Sequence, residues 1–138
     1  MTLAEYVRGV HHVAIISSNY ETSKDFYTRI LGCDVLNETY RTERDSWKLD
    51  LKVPNTNTQI ELFSFPSPPK RTSRPEGCGL RHLAFVVNNL DKAVEQLEKD
   101  GVAVEEIRVD PLTNQRFTFF ADPDDLPLEL YEDIKCEQ

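Results

Sequence analysis

Four residues stand out by type and spacing. His12 and His82 each lie near the start of an apolar run, and Glu61 and Glu129 each lie inside one, in Ile60-Glu61-Leu62 and Leu128-Glu129-Leu130. An unpaired carboxylate is costly to bury, so one inside an apolar strand is normally paired, metal-bound or turned to water on a half-wet sheet. A histidine in such a strand also reads as a satisfied core residue. The spacings argue for more. His12 precedes Glu61 by 49 residues and His82 precedes Glu129 by 47, and the chain holds only one other histidine, His11. Two imidazoles and two carboxylates suit a borderline divalent metal: Ni, Zn, Co, Mn or Fe. In an octahedral site, four protein ligands leave positions open for a substrate, as catalysis requires.

The elements that must position these residues repeat. Residues 10–35 and 80–104 align with His12 on His82, Ala14 on Ala84, Asn19 on Asn89 and Glu21 on Asp91; one gap later Gly32 meets Gly101. Asn19 and Asn89 are suited to cap helices, with an acid in each first turn, where the helix dipole favours an anion. Phe26, Tyr27, Ile30 and Leu31 form one apolar stripe, and Leu90, Ala93, Val94 and Leu97 the other. Gly32 and Gly101 fit left-handed helix ends. Strands are predicted near 34–42, 46–53 and 58–65, and again near 102–109, 115–121 and 127–132. Pro54-Asn55-Thr56-Asn57 and Asp122-Pro123-Asp124-Asp125 read as turns. Each half therefore reads β-α-β-β-β, with module one over about 8–65, a proline-rich loop over 66–78 and module two over about 79–132. The loop could serve as linker, lid or dimer contact.

At 138 residues the chain is expected to be one domain, long enough to fold without a disulfide or structural metal. Its net charge of −8 disfavours a nucleic-acid partner. No apolar run is long enough for a membrane span, and Met1–Arg8 lacks the apolar core of a signal peptide. Cys33, Cys78 and Cys136 are odd in number and widely spaced; they read as free thiols in a reducing compartment, which points to the cytoplasm.

Taken with Phe26-Tyr27, Leu31-Gly32, His82-Leu83-Ala84 and Phe120-Ala121-Asp122-Pro123-Asp124, these motifs make residues 8–132 resemble the vicinal oxygen chelate superfamily, and the glyoxalase I type within it. The resemblance extends to a subgroup of small bacterial glyoxalase-like proteins through Arg44-Asp45-Ser46-Trp47 and Arg116-Phe117-Thr118-Phe119-Phe120. It implies an α+β fold in which two βαβββ modules form a curled mixed-sheet cup around one divalent metal. It further implies metal ligands His12, Glu61, His82 and Glu129, a homodimer, and a small-molecule substrate, thiol-linked in some relatives. Lactoylglutathione lyase-like chemistry would follow: proton transfer on an α-ketoaldehyde–thiol hemithioacetal or a related α-hydroxycarbonyl, with Glu129 as first choice of base and Glu61 as second. Glutathione-dependent bacterial members carry an arginine four residues after the first histidine. Here that residue is Ile16, so another thiol or a thiol-free substrate stays open.

The alternatives are an iron-dependent dioxygenase, which Glu61 opposes by filling a position oxygen chemistry would use, and a non-catalytic binding protein of the resistance type. Arg41, Arg44, Lys48, Arg71, Arg74, Arg81 and Arg116 are candidates to hold substrate charge. Arg44 near Trp47 and Arg116 beside Phe117 are preferred, because arginine beside an aromatic ring shapes an anion pocket. Phe63 completes the expected substrate contacts.

Overall fold

A computed structural model describes residues 1–134. Cys136 lies outside the described residues. The chain divides into two compact units, 1–68 and 69–138, and the division falls in the proline-rich stretch.

In the first unit, β1 (His12–Ser17) leads into α1 (Tyr20–Asp25), which continues as a π-helical turn over Phe26–Ile30. Then come β2 (Asp34–Arg41), β3 (Ser46–Lys52) and β4 (Gln59–Ser64). The sheet order is β1-β4-β3-β2, with β1 and β4 parallel and the other pairs antiparallel. The second unit repeats this frame: β5 (Leu83–Val87), α2 (Leu90–Lys99), β6 (Arg108–Val109), β7 (Arg116–Ala121) and β8 (Pro127–Glu132) in the order β5-β8-β7-β6, with β5 and β8 parallel. Each unit is thus a four-stranded mixed sheet with few helical residues, as the β-α-β-β-β reading required.

The punctuation follows the side chains. Asn19 accepts from the Thr22 amide and Asn89 from the Lys92 amide, capping both helices. Gly32 and Gly101 leave them at φ 77° and 84°, where a Cβ is disfavoured. Asp125 turns the Asp-Pro-Asp-Asp loop at φ 64°, and the Asp122 carboxylate accepts from the Asp124 and Leu126 amides. One face of each sheet is the core. In unit one Ile15, Leu49, Leu51, Ile60 and Leu62 lie buried, as do Phe26 and Tyr27; in unit two Phe120, Leu128 and Leu130 are buried, with Leu90 and Leu97 of α2.

Two expectations need correction. The strand expected over 102–109 shrinks to Arg108–Val109. The Thr118 hydroxyl donates to the Glu105 carbonyl at 2.7 Å, and a side chain that takes a backbone acceptor competes with the ladder. His82, expected on the first strand of its half, lies one residue before β5.

Candidate functional site

The face of each sheet opposite the core carries the histidine and the glutamate. In unit one, parallel pairing sets Ala14 against Glu61, and His12 lies two residues before Ala14 on the same face. In unit two, Ala84 is set against Glu129, and His82 lies two residues before Ala84. The alanine matters sterically, because a methyl group there leaves space in which the imidazole and carboxylate can meet. His12 Nδ1 is 3.4 Å from Glu61 Oε2, and His82 Nε2 is 3.1 Å from Glu129 Oε1. The carboxylates are mostly withdrawn from water, with side chains 14% and 12% exposed. They are therefore neither solvated nor sealed in the core.

Each imidazole has a further polar neighbour, at the same nitrogen in His12 and at the second nitrogen in His82. His12 Nδ1 lies 2.9 Å from His11 Nδ1. Arg81 Nη1 lies 3.1 Å from His82 Nδ1. A guanidinium only donates, so Nδ1 of His82 accepts there, and in the neutral ring Nε2–H donates to Glu129.

The neighbouring strand distinguishes the two sites. In unit one the residue opposite Glu61 is Asp50, and the residue opposite Phe63 is Lys48. Lys48 Nζ bonds Asp50 Oδ1 at 2.6 Å and lies 3.8 Å from Glu61 Oε2, which offsets two facing carboxylates. In unit two the equivalent positions are Phe119, opposite Glu129, and Phe117, opposite Tyr131. Phe119 meets the His82 ring edge to face at 5.1 Å.

The other expected substrate contacts divide. Phe63 and Phe117 share a face with Glu61 and Glu129 respectively. Trp47 does not: strand alternation turns it to the helix side, where it stacks on Tyr20 at 5.6 Å. Arg116 is likewise on the helix side. It pairs with Glu132 at 2.9 Å and Asp91 at 2.9 Å, and Glu132 also accepts from the Leu90 amide, so Arg116 ties the start of α2 to β7 and β8. Burial does not weaken this tie, since Arg116 holds the Glu132 carboxyl below the usual carboxylate range. Arg44 lies over Phe65 instead of near Trp47, its guanidinium carbon 5.2 Å from the ring centre. Reading the sequence overlooked Lys48, Asp50 and Phe119 as neighbours of the glutamates. Their alternation was visible, but assigning them to this face needs the strand register.

Among the described residues, no three His, Cys, Asp or Glu side chains gather as a cation site. What each unit offers is one nitrogen and one carboxylate donor that converge, a chemically suitable half of a borderline-metal ligand set.

The protein is similar to known ones over nearly its whole length. The family model described as Glyoxalase/Bleomycin resistance protein/Dioxygenase superfamily matches residues 9–130. The uncharacterized protein YwkD of Bacillus subtilis strain 168 is 61% identical over 91% of this chain and 98% of its own. The 2-epi-5-epi-valiolone epimerase of an Actinomyces species is 30% identical over 88% of this chain and 77% of its own. Among solved structures, the glyoxalase family protein from Enterococcus faecalis superimposes with a TM-score of 0.85 and 45% identity, covering 92% of this chain and 99% of that one.

Proposed function

The chain belongs to the Glyoxalase/Bleomycin resistance protein/Dioxygenase superfamily, and from that premise we propose that it is a metal-dependent lyase or isomerase of the glyoxalase type. It moves a proton beside a carbonyl in a substrate with two adjacent oxygens, an α-ketoaldehyde–thiol hemithioacetal or a related α-hydroxycarbonyl. The observation that carries this reading is the duplicated pair: the same histidine and glutamate, in the same register, opposite the same alanine, in both units.

His12, Glu61, His82 and Glu129 are the proposed ligands of one divalent ion, Ni, Zn, Co, Mn or Fe. When bound, such an ion supplies Lewis-acid stabilisation of the negative charge that develops on the two oxygens. Glu129 removes the proton from the carbon beside the carbonyl and returns it one carbon away. Two features favour Glu129 over Glu61. Its cross-strand neighbour is Phe119, which limits water beside the carboxylate, and its only ion-pair partner among the described residues is His82. Glu61, by contrast, also has Lys48 beside it. The similarity to a protein named an epimerase supports a proton-transfer chemistry. Phe63 and Phe117 are the proposed apolar contacts, and Arg44 the proposed charged one. The protein is proposed to act as a cytoplasmic homodimer; no helix among the described residues is long and apolar enough to cross a membrane.

The test is metal content per chain after purification without affinity tag or chelator, followed by titration of Glu61→Ala and Glu129→Ala. Close to one transition metal per chain, with affinity lowered in both variants, is expected. Wild-type affinity in both variants sinks the four-ligand set, and a chain that neither carries nor takes up metal makes a binding protein the better reading.

A further inference from the structure

Two arginines of unit one converge on one aromatic ring without an acid to neutralise them. Arg41, the last residue of β2, places its guanidinium carbon 4.8 Å from the centre of Phe63 and 5.6 Å from that of Phe65. Arg44 lies 5.2 Å from the same Phe65 ring. The two rings stack on each other at 6.0 Å. Three other cations of this unit have carboxylates: Lys24 has Glu38 at 2.8 Å, Arg29 has Asp25 at 2.8 Å and Lys48 has Asp50 at 2.6 Å. Among the described residues, neither Arg41 nor Arg44 forms a salt bridge.

Arg41 is also incompletely satisfied. Its Nη2 donates to Ser46 Oγ at 2.9 Å, but its Nε–H is buried and meets no acceptor. A buried donor left unpaired is unfavourable, and two guanidiniums on one ring repel. A single oxyanion would relieve both defects. The guanidinium edge matches the two oxygens of a carboxylate or phosphate, and the stacked rings hold it flat.

We propose that Arg41 and Arg44, shelved on Phe63 and Phe65, form a binding site for the carboxylate or phosphate group of a small anionic ligand. Arg41 pairs with Ser46, which puts it on the face of the sheet that carries Lys48, Phe63 and Glu61. Phe63 is two residues along β4 from Glu61, roughly 7 Å. A ligand anchored by the arginines therefore reaches Glu61 with a few carbon atoms. As the anionic end of the substrate this site rests on the reaction proposed above; as an anion site it stands without it. The larger groove of unit two, about 620 Å³, offers no comparable vacancy, because its Arg74, Arg81 and Arg108 each pair with an acid and its Arg71 donates to Ser73 Oγ and to the Leu80 and Arg81 carbonyls.

The test uses the metal-free full chain, labelled with nitrogen-15 and titrated with inorganic phosphate and, separately, acetate at constant ionic strength. The Arg41 Nε–H signal, assigned by its loss in Arg41→Lys, is expected to shift saturably with at least one anion, and the one that binds identifies the ligand class. Arg41→Lys keeps the charge but loses the fork and is expected to bind about tenfold more weakly, as is Arg44→Gln. Arg74→Gln is expected to bind as wild type. No saturable shift with either anion overturns the proposal, as does wild-type affinity in Arg44→Gln, an exposed position that keeps the test valid if Arg41→Lys does not fold. Anion binding that survives in Glu61→Ala and Glu129→Ala, whatever those variants do to metal affinity, supports the site independently of the reaction.

Discussion

Glu61 and Glu129 occupy the same place in two copies of one frame, yet their neighbours differ in kind. Across the strand from Glu61 is Asp50, with Lys48 two residues away; across from Glu129 is Phe119, with Phe117 two residues away. The frame sets where the histidine and carboxylate meet, and the adjacent strand sets what surrounds them. Across the adjacent strand, Glu61 meets charged side chains and Glu129 meets aromatic rings. Duplication thus supplies equal donors, while β3 and β7 differ in what they set beside them; in the proposed reaction the charged half would fix a ligand and the apolar half would move a proton.

The largest expected effect is on catalysis. Glu129→Gln should lower kcat by about 10²–10⁴-fold, the usual worth of a general base, whereas Glu61→Gln should act mainly through metal affinity. Hydrogen exchange at the substrate carbon in heavy water, with metal held saturating, separates the two. Equal loss of exchange in both variants removes the division of labour.

Next in size is the effect of the Arg116 clamp, on the helix side of unit two. Arg116→Met should destabilise the protein by about 1–3 kcal/mol, because the mostly buried Glu132 carboxylate loses its cation. Urea unfolding measures this. A large rise in KM with unchanged stability would return Arg116 to the substrate.

The charged half can be sharpened through Lys48→Met. Asp50 and Glu61 would then face each other without a cation, at a cost of about 1 kcal/mol in the apo protein. Divalent ions should bind more tightly in this variant, since a competitor for Glu61 is gone. Calorimetric titration reads this directly, and unchanged affinity would show that Lys48 does not bear on the carboxylate.

The smallest effect is on the acid limb of stability. Arg116 and the Leu90 amide depress the Glu132 carboxyl, and Arg116 depresses Asp91. In unit one, Lys24 and Tyr20 depress Glu38. A carboxyl that is harder to protonate when folded stabilises the protein above its unfolded value, about 4.3 for glutamate. That contribution is lost as the pH falls through the depressed folded value. Glu132→Gln should therefore flatten the stability profile below about pH 4 and leave its slope near neutrality unchanged. Melting temperatures from pH 2 to 7 test the sign.

Much of this was legible in the chain. The repeat, the Asn caps, the glycine helix ends and the Asp122–Asp125 turn are local: each depends on a backbone torsion or a hydrogen bond within a few residues, so residue type announces it. The two His/Glu pairs were legible for a related reason. Spacing within a repeat places each residue on the first or last element of its half, and parallel pairing of those strands does the rest. Trp47, Arg116, Lys48 and Phe119 were not, because adjacent residues of a strand face opposite ways. Only the register against β4 or β8 decides which of them look at the glutamates. The same holds for Arg41 and Arg44, whose meeting on Phe65 depends on how the β2–β3 turn folds back over the end of β4. Residue types and local punctuation determined the frame and its donors. Register, a property of two strands at once, decided the company those donors keep.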